Sequence, residues 1–246
     1  NDRYDLPVRE ARLKVKDYLI RSNHATTIYE LVNSVKCRCG SECVVKILTD
    51  QWFINYSDRR WKDLAHECIN NMNLLPAEIK KEFEYTIEWL RERACARRSG
   101  LGTRLPWDQE WIIESLSDSV IYMAYYIIAK HADKLNPSLI DDRFFDYILC
   151  NKGDPNTLAN EMNISKELIE NIKKEFEYYY PVDSRHSGRD LIPNHLTFFI
   201  FNHVALFDKD KWPREIVVNG SVLMEGKKMS KSFGNIIPLR VAIREH

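Results

Sequence analysis

Lys228-Met229-Ser230-Lys231-Ser232, followed by Phe233-Gly234-Asn235, puts two lysines three residues apart, with Gly226 and Gly234 on either side. A lysine carries a compact positive charge on a flexible stem. Two of them on a loop can follow phosphate charge as it develops in a reaction. A Lys- and Ser-rich stretch is by default a solvated loop, but this exact string is far narrower than a generic pair of lysines.

A second segment, His186-Ser187-Gly188-Arg189-Asp190, leads to Asn194-His195. A glycine at a strand's end lets backbone approach a ligand, and an acid two residues later can accept from ribose hydroxyls. Alone, the segment reads as a surface turn. A third group is Cys37, Cys39 and Cys43, spaced CxCGxxxC. Close thiolates in a turn can hold zinc, but three do not close a tetrahedral structural site. His66 and Cys68 are the nearest other candidates. Free cytosolic thiols are the expectation, with these three as ligands should an ion be bound. Cys95 and Cys150 read as buried small hydrophobes.

These groups need elements to hold them. Leu13, Val15, Tyr18 and Leu19 predict an amphipathic helix over 8–22. Residues 26–56 read as short strands around the cysteine turn, with Val44, Val45, Ile47 and Leu48 favouring strand. Helices follow over 58–71 and 76–96. After a break at Gly100 and Gly102 come a short strand at Trp111-Ile112-Ile113, a polar loop over 114–119 and an apolar helix over 120–131. Residues 136–180 read as a helical insertion in which Ser165 is an N-cap. Residues 182–188 are a strand running into a turn, and an apolar helix begins near Pro193. Residues 215–218 and 221–224 read as two strands joined at Asn219-Gly220, a hairpin signal. Strands alternating with helices predict an α/β fold with a largely parallel sheet.

The chain has 246 residues, and its Lys and Arg (36) equal its Asp and Glu (36). Bulk charge therefore does not announce a nucleic-acid partner. A local patch would have to supply one, such as Arg91, Arg93, Arg97, Arg98 and Arg104. No apolar run is long enough to span a bilayer and no leader pattern opens the chain, so the expectation is a cytoplasmic protein without a membrane role. The chain opens on Asn1 rather than methionine, as a piece of a longer protein does.

Lys228–Ser232 resembles the second signature of class I aminoacyl-tRNA synthetases. WLRERACARRSGLGTRLPWDQEWIIESLSDSVIYMAYYIIAKH and YPVDSRHSGRDLIPNHLTFFIFNHVALF resemble, more closely, leucyl-tRNA synthetases of the archaeal and eukaryotic cytosolic kind. Valyl, isoleucyl and methionyl enzymes share the lysine signature but not SGRDLIPNHL or GLGTRLPWDQEW.

The resemblance covers nearly the whole chain. It implies the end of a connective insertion over 1–80 and the second half of a Rossmann-type catalytic domain over 81–246. It implies leucine, ATP with Mg²⁺, and tRNA(Leu) as partners. Leu116, Ser119, Tyr122 and His195 would then form the leucine pocket. Gly188 and Asp190 would face the adenosine, and Lys228, Ser230 and Lys231 the phosphates.

In related synthetases a cysteine pair near the position of Cys37 and Cys39 completes a zinc site with an upstream pair, and this chain has no upstream pair. The family's first signature, of the His-x-Gly-His type, is formed by none of the seven histidines. The chain alone is therefore expected not to adenylate leucine, the complementary N-terminal half being a required partner. Two alternatives stand beside this: a fragment of an isoleucyl, valyl or methionyl enzyme, or a non-catalytic tRNA- or protein-binding module.

Overall fold

The structure, a computed structural model, describes residues 6–37, 39–47, 50–229 and 234–245. It divides into two units, residues 1–51 and 52–246. The first unit holds helix α1 (Val8–Arg21), which has no buried residue. Among the described residues the strands expected over 26–47 do not form. Only an isolated bridge, Lys36 to Glu42, flanks the cysteine turn. Ile28 and Val32 are exposed, and β-branched residues favour a strand only where a neighbour covers them.

In the second unit a three-stranded parallel sheet carries the architecture. Its strands are β2 (Asn73–Leu75), β7 (Arg185–Gly188) and β8 (Glu215–Asn219), in the order β2-β8-β7. Register runs Leu74 to Ile216 and His186 to Val217. Residues 52–80 thus pack with the second unit, since β2 is an edge of this sheet.

Helix α2 (Arg59–Asn71) starts at Asp58, whose carboxylate accepts from the Trp61 N–H at 2.8 Å. It packs on α9 (Thr197–Leu206), which is largely apolar and buries Phe198, Phe199, Ile200 and Phe201. Tyr56 stacks between Trp61 and Phe198, at 5.1 and 4.9 Å.

The helix expected over 76–96 is shorter. A 3₁₀ turn (Ala77–Ile79) leads to α3 (Lys80–Trp89). The chain then turns extended and enters β3 (Glu92–Ala94), which pairs antiparallel with β1 (Phe53–Asn55). The buried Lys62 closes the end of α3. Its ammonium donates to the Glu88 and Leu90 carbonyls at 2.8 and 3.0 Å, satisfying acceptors a helix end leaves open.

Strands β4 (Ala96–Arg97), β5 (Arg104–Leu105) and β6 (Asp108–Ile113) make a second, antiparallel sheet in the order β4-β6-β5. The expected loop over 114–119 contains a helical turn, α4 (Ser115–Asp118), because the Glu114 carboxylate caps the Leu116 N–H at 2.8 Å. Helix α5 (Tyr122–Ala129) follows.

The helical insertion is present as α6 (Asp142–Cys150), α7 (Pro155–Met162) and α8 (Lys166–Tyr179). Ser165 caps the last, its hydroxyl accepting from the Leu168 N–H at 3.2 Å. The apolar segment after β7 enters α9 through a turn of π-helix (Ile192–Leu196). Cys68 is the buried thiol; Cys95 and Cys150 are only half-buried.

The hairpin expected at Asn219-Gly220 is displaced. Both edges of β8 are already occupied, by β2 and β7, so residues 221–224 have no edge of β8 to pair with. Instead β9 (Leu223–Met224) pairs with β10 (Lys227–Lys228). The turn is Glu225-Gly226, with φ of 52° and 75°, the positive pair that a tight I′ hairpin requires. Helix α10 (Leu239–Glu245) ends the described chain.

Candidate functional site

Ligands of open parallel sheets bind beyond the carboxyl ends of the strands. Here β7 ends at Gly188, and β8 leads into the β9–β10 hairpin. The two segments meet: the Lys228 ammonium lies 2.9 Å from the Asp190 carboxylate. That neighbour holds the Asp190 carboxyl below the usual carboxylate range. The Asn235 amide donates to the Lys228 carbonyl at 3.2 Å, tying the segment after the signature back to β10. Ser230 and Lys231 lie outside the described residues.

Gly188 serves this arrangement through its missing side chain. A Cβ there would stand 2.6 Å from the Asp190 Oδ1, inside contact distance. The next residue fixes the turn from the other side, since the Arg189 guanidinium pairs with Glu82 of α3.

A second concavity lies beside α4 and α5. It encloses about 600 Å³ and is lined by Thr103, Ile113, Asp118, Ser119, Tyr122 and Tyr126, among others. Of the residues expected in an amino-acid pocket, Ser119 and Tyr122 line it. His195 is not among its lining residues; it is buried, with the Ser119 backbone acting on its ring. Burial first, and the Arg185 charge second, hold the His195 imidazole below its ordinary pKa. Leu116 does not line the cleft; it packs half-buried against the main core.

Arg185, Asp118 and Thr103 were missed. Arg185 donates to the Tyr122 hydroxyl at 2.8 Å, and burial raises the Asp118 carboxyl. Nothing in the local sequence marks Arg185, because it owes its place to Tyr122, 63 positions upstream.

A family model for tRNA synthetases class I (I, L, M and V) matches residues 14–246. The chain belongs to the class I tRNA synthetases. This class I synthetase chain is 56% identical over 242 residues to leucine–tRNA ligase 2 of Sulfurisphaera tokodaii, covering 97% of the chain and 26% of that protein. It is 54% identical over 241 residues to leucine–tRNA ligase of Ignicoccus hospitalis, covering 97% of the chain and 24% of that protein. It thus spans about a quarter of the length of the curated relatives it matches. Methionyl-tRNA synthetase of Mycobacterium tuberculosis, solved with methionyl-adenylate, superposes with a TM-score of 0.50 at 20% identity, over 86% of this chain and 35% of that one. That likeness concerns the fold.

The remaining candidates of this synthetase chain are placed as follows. Cys37 and Cys39 are exposed and Cys43 is half-buried. The Cys39 thiol lies 3.3 Å from the Ser41 hydroxyl, and hydrogen bonds with Ser41 and Cys37 lower its pKa to about 7. Among the described residues no group of three or more His, Cys, Asp or Glu side chains could hold a metal ion.

The arginines of the basic stretch are engaged close to home. Arg91 donates to the Glu88 and Leu90 carbonyls, and Arg97 to that of Leu101. Arg104 donates to the Gln109 carbonyl. Arg93 and Arg98 lie over the Phe198 and Trp111 rings. No helix among the described residues is long and apolar enough to cross a membrane.

Proposed function

We propose that this chain is the part of a leucine–tRNA ligase that carries the second half of its catalytic site. The complete enzyme activates leucine with MgATP, releasing pyrophosphate, and transfers the leucyl group to tRNA(Leu). The observation that carries the reading is the meeting of Asp190 and Lys228 beyond the carboxyl ends of β7 and β8. An anion acceptor for ribose hydroxyls and a cation for phosphate thus stand side by side. The two relatives bearing that name, each over half identical, support the choice of leucine.

In this reading Gly188 and Asp190 hold the adenosine, and Lys228, Ser230 and Lys231 hold the phosphates. The leucine side chain enters the cleft between Ser119, Tyr122 and His195. Arg185 and Gly188 lie three residue steps apart in extended chain, about 10 Å, so β7 spans from the amino-acid cleft to the adenosine end. No side chain acts as nucleophile: the leucine carboxylate attacks the α-phosphorus. The chain's contribution is positioning and stabilisation of developing charge. Residues 1–80 then end the connective insertion, and Cys37, Cys39 and Cys43 are thiols rather than a complete zinc site.

ATP–pyrophosphate exchange tests the reading. Leucine-dependent exchange is expected when the complementary N-terminal half is supplied, and not from this chain alone. Exchange driven by isoleucine, valine or methionine in leucine's place would reassign the enzyme within the family. No exchange in the reconstituted protein would leave a binding module.

A further inference from the structure

Arg185 opens β7 with its guanidinium half-buried beside the cleft. One Nη donates to the Tyr122 hydroxyl at 2.8 Å, and the guanidinium carbon lies 5.7 Å from the Tyr122 ring centre. The Arg185 Nε is buried without a hydrogen-bond partner, and so is the His195 Nδ1. Among the described residues no carboxylate forms an ion pair with Arg185. The acids nearest to it in sequence, Asp183 and Asp190, are taken by Arg214 and Lys228.

A half-buried cation without a counter-ion is unfavourable for stability. Its hydrogen-bonding capacity goes instead to one residue, on α5 and 63 positions away. Tyr122 also leans on Tyr126, ring centres 4.9 Å apart. A tyrosine ring in a cleft wall has two free torsions, and anchoring its hydroxyl fixes both.

We propose that Arg185 is a positioning residue of the amino-acid pocket, holding the Tyr122 ring as a fixed wall and so setting which aliphatic side chain the pocket accepts. The proposal rests on the reading of this cleft as leucine's site. Leucine and isoleucine differ only in where one methyl group branches, so selection between them depends on wall shape and not on a polar contact.

The test is amino-acid-dependent exchange by the full-length synthetase, comparing leucine with isoleucine and methionine. Arg185→Met is expected to raise the leucine KM about ten-fold with a smaller change in kcat, and to lower the leucine-over-isoleucine ratio of kcat/KM about ten-fold. Arg185→Lys, which keeps a cation and a donor, should recover part of that ratio. In a Tyr122→Phe background Arg185→Met should change the ratio little, because the hydroxyl it acts through is gone.

An unchanged ratio in Arg185→Met, or an equal loss with and without the Tyr122 hydroxyl, overturns the proposal. Should Arg185→Met not fold, Arg185→Lys and Tyr122→Phe carry the comparison, and an unchanged ratio in both is the contrary result. A parent enzyme that exchanges with another amino acid and not with leucine refutes the functional reading itself. Arg185 is then judged on that amino acid's ratio over its nearest isomer.

Discussion

Asp190 and Lys228 face each other at 2.9 Å, each side chain 57% exposed, and they join two segments that the sheet alone would leave separate. At that exposure the ion pair adds at most about 1 kcal/mol to stability. Its interest is that both partners have other work in the proposed reaction. In that reading a ribose hydroxyl can donate to the Asp190 Oδ1, while Lys228 sits on Oδ2.

Asp190→Ala is accordingly expected to weaken ATP binding, or slow adenylation, by about one to two powers of ten. Asp190→Asn should keep part of the effect through its one acceptor. Equilibrium binding of ATP and its deoxyribose analogues reads the contact directly. If the Ala variant still separates ATP from the deoxy compounds as the parent does, the adenosine site lies elsewhere.

Gly188→Ala should mimic that loss while leaving the fold intact. Its φ of −76° suits any residue, so the backbone is not strained. The added methyl, at 2.6 Å from the Asp190 Oδ1, must push the carboxylate aside. ATP affinity is expected to fall about ten-fold with the thermal midpoint nearly unchanged. A large drop in the midpoint instead would make the glycine a packing residue.

Lys231→Ala in the complete enzyme should lower the adenylation rate far more than it weakens leucine binding. Losing one such charge donor costs roughly 3–4 kcal/mol of transition-state stabilisation. Single-turnover kinetics separates the two effects. An unchanged rate with a much raised leucine dissociation constant would move Lys231 into the amino-acid pocket.

His203 sets a pH dependence of stability. It is fully buried, with Nδ1 at 2.8 Å from the Phe199 carbonyl and Nε2 at 3.2 Å from the Tyr180 hydroxyl. Burial pushes its pKa down to about 4, below the unfolded value. The unfolded chain therefore takes up a proton first as pH falls, and stability declines from about pH 6.5 to about pH 4, by roughly 3 kcal/mol in all. Denaturant midpoints across that window should show the decline, and His203→Phe should make it shallower, the part due to His195 remaining. An equal slope in the variant would assign the effect to other groups.

The elements that sequence located well are those whose own residues suffice. Ser165 caps its helix because a hydroxyl immediately before a charged, apolar run needs only the local N–H groups. The largely apolar 197–206 segment is mostly buried because its run of aromatic and aliphatic residues has nowhere else to be sheltered. What misled was partner-dependent. Asn219-Gly220 has the composition of a hairpin turn, yet β8 is already flanked on both sides. Val44, Val45 and Ile47 favour a strand that finds no neighbour.

The candidate site divides in the same way. Gly188, Asp190 and Lys228 are named through the family resemblance; spacing alone leaves Gly188 and Asp190 a surface turn. Arg185 could not be named, because its meaning lies in Tyr122, far upstream. Leu116, placed in the pocket by resemblance, packs on the core.

The order β2-β8-β7 also has a consequence for the chain's history. Asn73 faces Glu215, 142 positions later, across a pair of neighbouring strands. During synthesis β2 emerges first and waits, with its hydrogen-bonding edge open, until nearly the whole unit has been made. Pairing of such distant segments is slow and exposes an unpaired edge to other chains meanwhile. The helices of the insertion, which close on contacts near in sequence, can form during that wait. β8, arriving last, joins two strands that until then share no hydrogen bond, so the two sides of the sheet end that carries Asp190 and Lys228 are assembled in a single late step.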